Sequence, residues 1–550
     1  MKNPYQRFWE LLKPDKKEIY QVYTYAIFKG IIALSLPLGI QSIINLIQAG
    51  RVSTSWAILI GVVTFGIAMG GYMQIMQMRI METIQQKIFT RAAFDFTYRI
   101  PKISFSKLNK YYAPELVNRF FDIVTLQKSV AKIIIDFSTG ILQIVFGLIL
   151  LSLYHSFFIV FSVLLILLIY IIIKLTSKKG MQTSLEESKY KFQVVSWLEE
   201  LARSKDSFKL AGATDLPQTK TDERVTGYLN SRESHFQVMK TQYFLLLTFK
   251  ILVALGLLVI GGLLVLNQKM NIGQFVAAEI IILLVIDSAE KLILNLENIF
   301  DTLTSLEKIG EVFDLELDNH NQSIIANENI QGAIKVELNS VEFTYPGRNE
   351  NVLRGINFEF KPNNNYCISG NNGSGKSTLI HLISGLYQPQ KGTVCLNGLP
   401  LGNYNIPELY KKIGNGLNEE TIFEGTFYEN ITLGRDFVAS ADVFWALDKL
   451  LLSDYIKMLP NGLETRIDIS GHKLSKSVIQ KIIIARSIVN HPKLLLLESH
   501  LDSIEDLERQ QIIDFLTDKN NGWTFIVISN DSYLKQKSDS VIKMEAGKII

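Results

Sequence analysis

Apolar residues crowd into the first 300 positions, in six stretches near Tyr20–Leu46, Thr54–Met81, Ile133–Tyr154, Phe157–Lys174, Tyr243–Asn267 and Ile272–Leu294. Each is long enough to cross a bilayer as a helix, which takes about 20 residues. Hydrocarbon satisfies no exposed backbone group, so these stretches are predicted to be membrane helices. The first is too long for a secretory leader, and Leu36-Pro-Leu-Gly-Ile runs on into apolar sequence without a small-residue cleavage site. Ile80–Tyr98 and Thr183–Leu201 keep helical apolar spacing without Pro or Gly. They are expected to carry their spans beyond the bilayer, with short turns at the tips near Tyr112–Asp122 and Ala202–Asp215. Glu311–Gly332 is polar and Asn-rich, as a linker would be. After it, short β-branched runs alternate with helical patterns, the mark of an α/β domain. The expected division is a membrane region over 1–310, a linker over 311–332 and an α/β domain over 333–550.

Composition agrees with a membrane half joined to a water-soluble half. Of the 550 residues, 48% are hydrophobic and 20% charged. That is too apolar for an ordinary soluble enzyme and too charged for a chain that is all membrane. The low proline content and 2 cysteines exclude a disordered or disulfide-built chain. The net charge of +3 gives no nucleic-acid signal. Lys2, Arg7, Lys13, Lys16 and Lys17 precede the first span, and the 83–130 and 175–242 stretches are rich in basic residues. The short loops at 47–53, 155–156 and 268–271 carry only Arg51 and Lys269. The positive-inside rule therefore puts both termini and both long loops in the cytoplasm. Cys367 and Cys395 both fall in the soluble half, where no disulfide or metal site is expected.

The strongest chemical signal is Gly370-Asn371-Asn372-Gly373-Ser374-Gly375-Lys376-Ser377-Thr378, which fits G-x-x-x-x-G-K-[ST]. An apolar strand precedes it and a helix follows. Its glycines let the backbone form a nest of N–H donors around phosphate oxygens. The helix N-terminus adds its dipole, Lys376 reaches the β/γ-phosphates, and the Ser377 hydroxyl can ligate Mg²⁺. ATP and Mg²⁺ are the expected cofactors.

Six spans followed by this domain resemble a half-transporter of the ATP-binding cassette (ABC) exporter superfamily. The resemblance implies that Tyr345, in Phe343-Thr-Tyr-Pro, stacks on adenine. It implies that Phe423–Ile431 follows the glutamine loop, and that the turns at 112–122 and 202–215 are coupling helices. Leu34–Gln41 and the Gln74–Gln77 region are similar to type I secretion exporters of peptides and proteins. This implies an inner-membrane location, a second half-transporter as partner, and a periplasmic adaptor with an outer-membrane channel. Only Met1–Ile19 precede the first span, so the peptidase domain that many such exporters carry is not expected here.

Against the family's pattern, every later motif is altered. The signature reads Leu474-Ser475-Lys476-Ser477-Val478 in place of L-S-G-G-Q. Glu498 stands where an aspartate holds Mg²⁺ through water, and together with Ser377 it forms the expected metal position. Ser499 replaces the general-base glutamate, Asn530 the switch histidine, Asn418 the glutamine-loop residue and Glu505 the D-loop aspartate. A hydroxyl of ordinary pKa does not take a proton from attacking water at neutral pH, and a missing base costs about 10²–10⁴ in rate. His500, two residues past Glu498, is the remaining candidate for a substitute role. The expectation is a chain that binds ATP and hydrolyses it poorly on its own. The alternatives are a nucleotide-gated scaffold of a secretion complex, or an exporter of lipids or hydrophobic small molecules.

Two weaker patterns lie in the membrane half. Glu279, Asp287 and Glu290 interrupt the sixth span, and Glu279 and Glu290 fall on nearly the same helical face. They are read either as an acidic wall favouring basic or peptide cargo, or as groups near cytoplasmic water. Met73, Met76, Met78 and Met81 are read as helix packing or as an adaptable substrate surface.

Overall fold

The computed structural model describes residues 3–50, 54–108, 113–212, 214–318, 330–417, 421–468 and 473–550. The chain folds as two compact units, one of Met1–Lys102 with Tyr111–Leu315 and one of Ile103–Lys110 with Glu316–Ile550.

The first unit is helical. In chain order its elements are α1 (Pro4–Leu12), α2 (Lys16–Ala33), α3 (Ser35–Gln48) and α4 (Thr54–Arg99). The short α5 (Phe105–Leu108) belongs to the second unit. The first unit then resumes with α6 (Ala113–Asn118), α7 (Phe121–Tyr154), α8 (Phe157–Arg203), α9 (Lys205–Leu210) and α10 (Leu216–Gly256). It closes with α11 (Gly262–Leu266), α12 (Ile272–Leu294) and α13 (Leu296–Phe313). Among the described residues, six helical segments are long and apolar enough to cross a membrane. α4 and α8 run on through the polar 83–99 and 175–203 stretches, as their unbroken apolar spacing predicts. The first span is two helices rather than one, meeting at Leu34. Pro37 is tolerated there because it sits in the first turn of α3, where its missing N–H costs nothing. Between α10 and α11 the Leu257–Gly261 turn is π-helical.

Large apolar side chains such as Phe65, Leu153, Val163 and Leu258 point outward from this bundle. Some polar groups inside it are paired with one another or with the backbone. Gln77 is fully buried and its Nε2 donates to the Val22 carbonyl at 3.1 Å. Asn295 Nδ2 donates to Asp136 Oδ2 at 2.9 Å. Glu290 is ion-paired with Lys250 on α10, which leaves Glu279 and Asp287 as the acidic positions to which no ion pair is assigned among the described residues.

The second unit is α/β. Its strands are β1 (Val336–Phe343), β2 (Leu353–Phe360), β3 (Asn365–Gly370), β4 (Lys391–Leu396), β5 (Leu399–Pro400) and β6 (Ile413–Gly416). They continue with β7 (Gly425–Thr426), β8 (Arg466–Ile467), β9 (Leu494–Glu498), β10 (Thr524–Ile528), β11 (Ser540–Glu545) and β12 (Lys548–Ile549). Its helices are α14 (Lys376–Ile383), α15 (Ile406–Tyr410), α16 (Phe427–Thr432), α17 (Ser440–Lys449) and α18 (Ser453–Lys457), then α19 (Lys476–Ile488), α20 (Asp506–Leu516) and α21 (Ser532–Lys537). An antiparallel four-stranded sheet has the order β2-β1-β4-β5. A six-stranded sheet has the order β12-β11-β3-β10-β9-β6, and from β11 to β6 it is parallel. Its central strands are buried on both faces, so Leu494–Leu497 and Phe525–Val527 read as continuous apolar runs.

The segment that joins this unit is Ile103–Lys110, upstream of the turn expected at 112–122. Phe105 sets its place. The ring stands edge-on to Tyr387 at 5.2 Å and to His381 at 6.0 Å, and the Ser104 N–H donates to the Glu316 carbonyl at 2.9 Å. At the second tip, the 202–215 stretch contains α9. Both cysteines are buried and free, and burial pushes the Cys367 thiol up to about 11.

Candidate functional site

Parallel pairing brings the sequence-predicted residues to one edge of the six-stranded sheet. Ile368 on β3 and Glu498 on β9 both lie level with Ile528 on β10. The loop Gly370–Gly375, the pair Glu498–Ser499 and the residue Asn530 therefore all leave from carboxyl ends of adjacent strands, where α/β sheets bind their ligands.

The loop takes a shape that requires its glycines. Gly370 has φ 149°, and a Cβ there would lie 2.2 Å from the Met544 carbonyl oxygen. Gly375 has φ 97° at the start of α14, and a Cβ would meet Leu353 Cδ2 at 2.7 Å. The left-handed conformation is open to glycine and strained for other residues. Asn371, Asn372 and Gly373 are exposed on the outer curve, whereas Ser374 and Thr378 are buried. Lys376 Nζ donates to the carbonyls of Gly370 and Asn371, at 2.9 and 2.8 Å, and so arches across the loop. The Tyr345 hydroxyl lies 2.9 Å from Thr378 Oγ1, and its ring stands edge-on to Phe343 at 5.1 Å and Tyr387 at 5.5 Å. That holds an aromatic face beside the start of α14.

The Ser377 hydroxyl donates to Glu498 Oε1. Glu498 is 2% exposed, and its Oε2 is buried without a hydrogen-bond partner among the described residues. An unpaired buried carboxylate oxygen is costly unless a cation or donor satisfies it. A hydroxyl and a carboxylate with one unsatisfied oxygen, beside a phosphate nest, are oxygen donors of the kind a hard divalent cation takes. Among the described residues no His, Cys, Asp and Glu groups form a metal cluster of their own, so a cation here would depend on nucleotide phosphates for its other ligands.

At the position of the general base, Ser499 has φ 54°, and its N–H donates to the Ile528 carbonyl at 3.1 Å. Asn530 is exposed. Its neighbour Asp531 caps α21 by accepting from the Leu534 N–H at 2.8 Å and pairs with Arg509 at 3.1 Å. His500 does not stand free as a base. The ring is buried, and Nε2 lies 3.0 Å from the Leu417 carbonyl at the end of β6. Burial lowers its pKa and keeps it neutral. It fixes the strand end just before Asn418, which itself lies outside the described residues.

The altered signature forms the first turn of α19. Ser475 is the N-cap and accepts from the Val478 N–H at 3.3 Å. Leu474 packs against the core. Lys476 is exposed at the first helical position, followed by the half-buried Ser477 and Val478. Two buried ties went unread in the sequence. Arg486 Nε donates to the Asn430 carbonyl at 2.8 Å, and Lys481 Nζ donates to Glu508 at 2.8 Å. Their signal is only a cation on an apolar helix face.

The family model of the ABC transporter transmembrane region matches residues 23–288, and the ABC transporter family model matches 353–499. A putative multidrug export ATP-binding/permease protein, YgaD of Bacillus subtilis, is 24% identical over 99% of this chain and 95% of its own length. Antigen peptide transporter 2 of Rattus norvegicus is 30% identical over 44% of this chain and 34% of its own length. The chain likewise spans less than half the length of other curated relatives it matches. A bacterial Atm1-family ABC exporter with ATP bound superposes with a TM-score of 0.82 at 17% identity, over 97% of this chain and 94% of that one. That likeness is one of fold. A membrane region of six apolar helices fused to a nucleotide-binding domain, matched along nearly its whole length, places the chain in the ABC transporter family as a half-transporter of exporter fold.

Proposed function

We propose that this chain is a nucleotide-gated export subunit that binds Mg·ATP firmly and hydrolyses it weakly on its own. The observation that carries the proposal is the pairing of an intact phosphate loop with an altered chemical edge. Gly370–Thr378 and Ser377–Glu498 have the geometry to hold nucleotide and cation, while a serine and an exposed asparagine stand at the base and switch positions.

When bound, Mg²⁺ would neutralise phosphate charge. Lys376 would bind the β/γ-phosphates, Tyr345 would flank the adenine, and the loop amides would orient the chain of phosphates. Ser499 has no basic group with which to draw a proton from water, and Asn530 donates and accepts hydrogen bonds without carrying charge. Binding energy would then act as a clamp that favours one arrangement of a paired transporter.

The partner is a second half-transporter, the same chain or another. The inner membrane is the proposed location, with both termini cytoplasmic. Peptide or protein cargo is favoured by the likeness of Leu34–Gln41 to type I secretion exporters and by a peptide transporter among the relatives. That likeness also supports a periplasmic adaptor and an outer-membrane channel. The test is ATP binding and turnover by the purified chain, alone and with candidate partners, against Lys376→Ala. Binding that is lost in the variant, with turnover near background, supports the reading. Turnover typical of intact exporters overturns it.

A further inference from the structure

Away from the nucleotide site, the continuation of the helical bundle beyond its apolar spans carries an open polar cavity of about 600 Å³. It lies where α8, α10 and α13 meet the turn before α7. Its floor is aromatic, and cations lie over it. The Arg119 guanidinium lies 3.9 Å from the Phe192 ring centre, and that of Arg224 lies 5.0 Å from the Trp197 ring centre. Trp197 is fixed in turn, since its Nε1 donates to Thr221 on α10 at 3.1 Å. Lys189 and Lys308 complete the basic wall.

Three carboxylates also line the cavity, and each is already engaged. Glu200 is held by Arg203 at 2.6 Å, Glu223 by Lys220 at 3.8 Å and Glu115 by Arg119 at 3.9 Å. Lys308 pairs with Glu311 at 2.6 Å, and Arg119 Nη2 reaches Glu311 at 3.5 Å. Positive charge is left over. Lys189 and Arg224 have no carboxylate partner among the described residues. Arg119 Nη1 is buried and has no hydrogen-bond partner among them. A buried guanidinium N–H without an acceptor is unfavourable by the full desolvation of that group, and two planar guanidiniums backed by rings are pre-organised to accept a bidentate oxyanion.

Helix length says which source of anion fits. Lys189 lies 32 residues along α8 from Phe157, about 48 Å at 1.5 Å per residue, and hydrocarbon is about 30 Å thick. The cavity is therefore beyond the reach of acyl chains and open to soluble solutes.

We propose that this cavity binds a soluble, multiply charged oxyanion, such as a phosphate ester or diphosphate group, and that the bound anion ties α8 and α10 to α7 and α13. The proposal does not depend on the phosphate loop, so it can be tested with that loop disabled. The full chain carrying Lys376→Ala, in lipid nanodiscs, would be titrated with inorganic pyrophosphate by calorimetry and by thermal unfolding. Saturable binding is expected, with a rise in Tm of a few degrees. Lys189→Gln and Arg224→Gln, added singly, are each expected to weaken binding about ten-fold or more, and Lys209→Gln on α9 is expected to leave it unchanged. Lys189 is exposed, so its loss separates lost binding from lost folding. No saturable binding, a shift that chloride of equal ionic strength reproduces, or binding indifferent to both cavity substitutions would each overturn the proposal.

Discussion

The Ser377 hydroxyl donates to Glu498 Oε1, so one hydrogen bond joins the start of α14 to the end of β9. The family's aspartate is a methylene shorter. Here the longer side chain reaches the hydroxyl directly while its second oxygen stays buried and unpaired. Glu498→Ala is expected to weaken Mg²⁺-dependent ATP binding by about ten-fold, the loss that accompanies one charge-assisted hydrogen bond, and to leave metal-free binding little changed. Comparing nucleotide affinity with and without EDTA checks this. Equal loss in both conditions would mean that Glu498 is structural.

The missing base is open to restoration. Ser499→Glu with Asn530→His returns a carboxylate and an imidazole to the edge of the sheet. Turnover by the lone chain is expected to rise at least ten-fold, and by less than the full 10²–10⁴ of a well-placed base. Two features hold it back. Ser499 has φ 54°, a conformation that strains a larger side chain. Lys476 and Ser477 still fill the signature. Initial-rate phosphate release by the double variant is the measurement.

A pH dependence follows from His500. Burial depresses its pKa below the ordinary value near 6.5, so the folded cassette holds it neutral while the unfolded chain protonates. Its contribution to stability is complete above pH 6.5 and is lost as pH falls toward the depressed folded value. Unfolding midpoints measured from pH 7.5 to 5 should fall for the native chain, and the fall should be shallower in His500→Gln. The variant keeps an amide donor for the Leu417 carbonyl.

Within the membrane unit, Lys250 and Glu290 neutralise one another across α10 and α12. Removing one partner strands a charge in a half-buried place, whereas removing both does not. Glu290→Gln is expected to lower bundle stability by about 1–3 kcal/mol, between the values for exposed and buried pairs. Lys250→Met with Glu290→Leu should recover most of it. A double-mutant cycle on thermal stability in nanodiscs reads the coupling.

Much of the architecture is legible because the bilayer and the parallel sheet impose strong patterns. A helix in hydrocarbon has to be long and apolar, so Phe157 and Ile272 mark helix starts in both sequence and structure. Gly370–Thr378 is equally plain, since only glycines fit its backbone. The break at Leu34 is harder to see, because Pro37 lies in an otherwise unbroken apolar run and a proline in a first helical turn leaves no trace in hydrophobicity. The membership of Ile103–Lys110 in the second unit is hidden for a similar reason. Phe105 looks like any aromatic in a polar stretch until Tyr387 and His381, some 280 residues away, are brought to it. The partners of Arg119 and His500 are likewise set by tertiary packing that no local period encodes.

The most direct test is to measure, on one preparation of the purified chain, equilibrium binding of Mg·ATP and steady-state phosphate release. Saturable binding that Lys376→Ala removes is expected, with release indistinguishable from that of the variant. Rapid release by the lone chain, or binding that survives loss of Lys376, would contradict it.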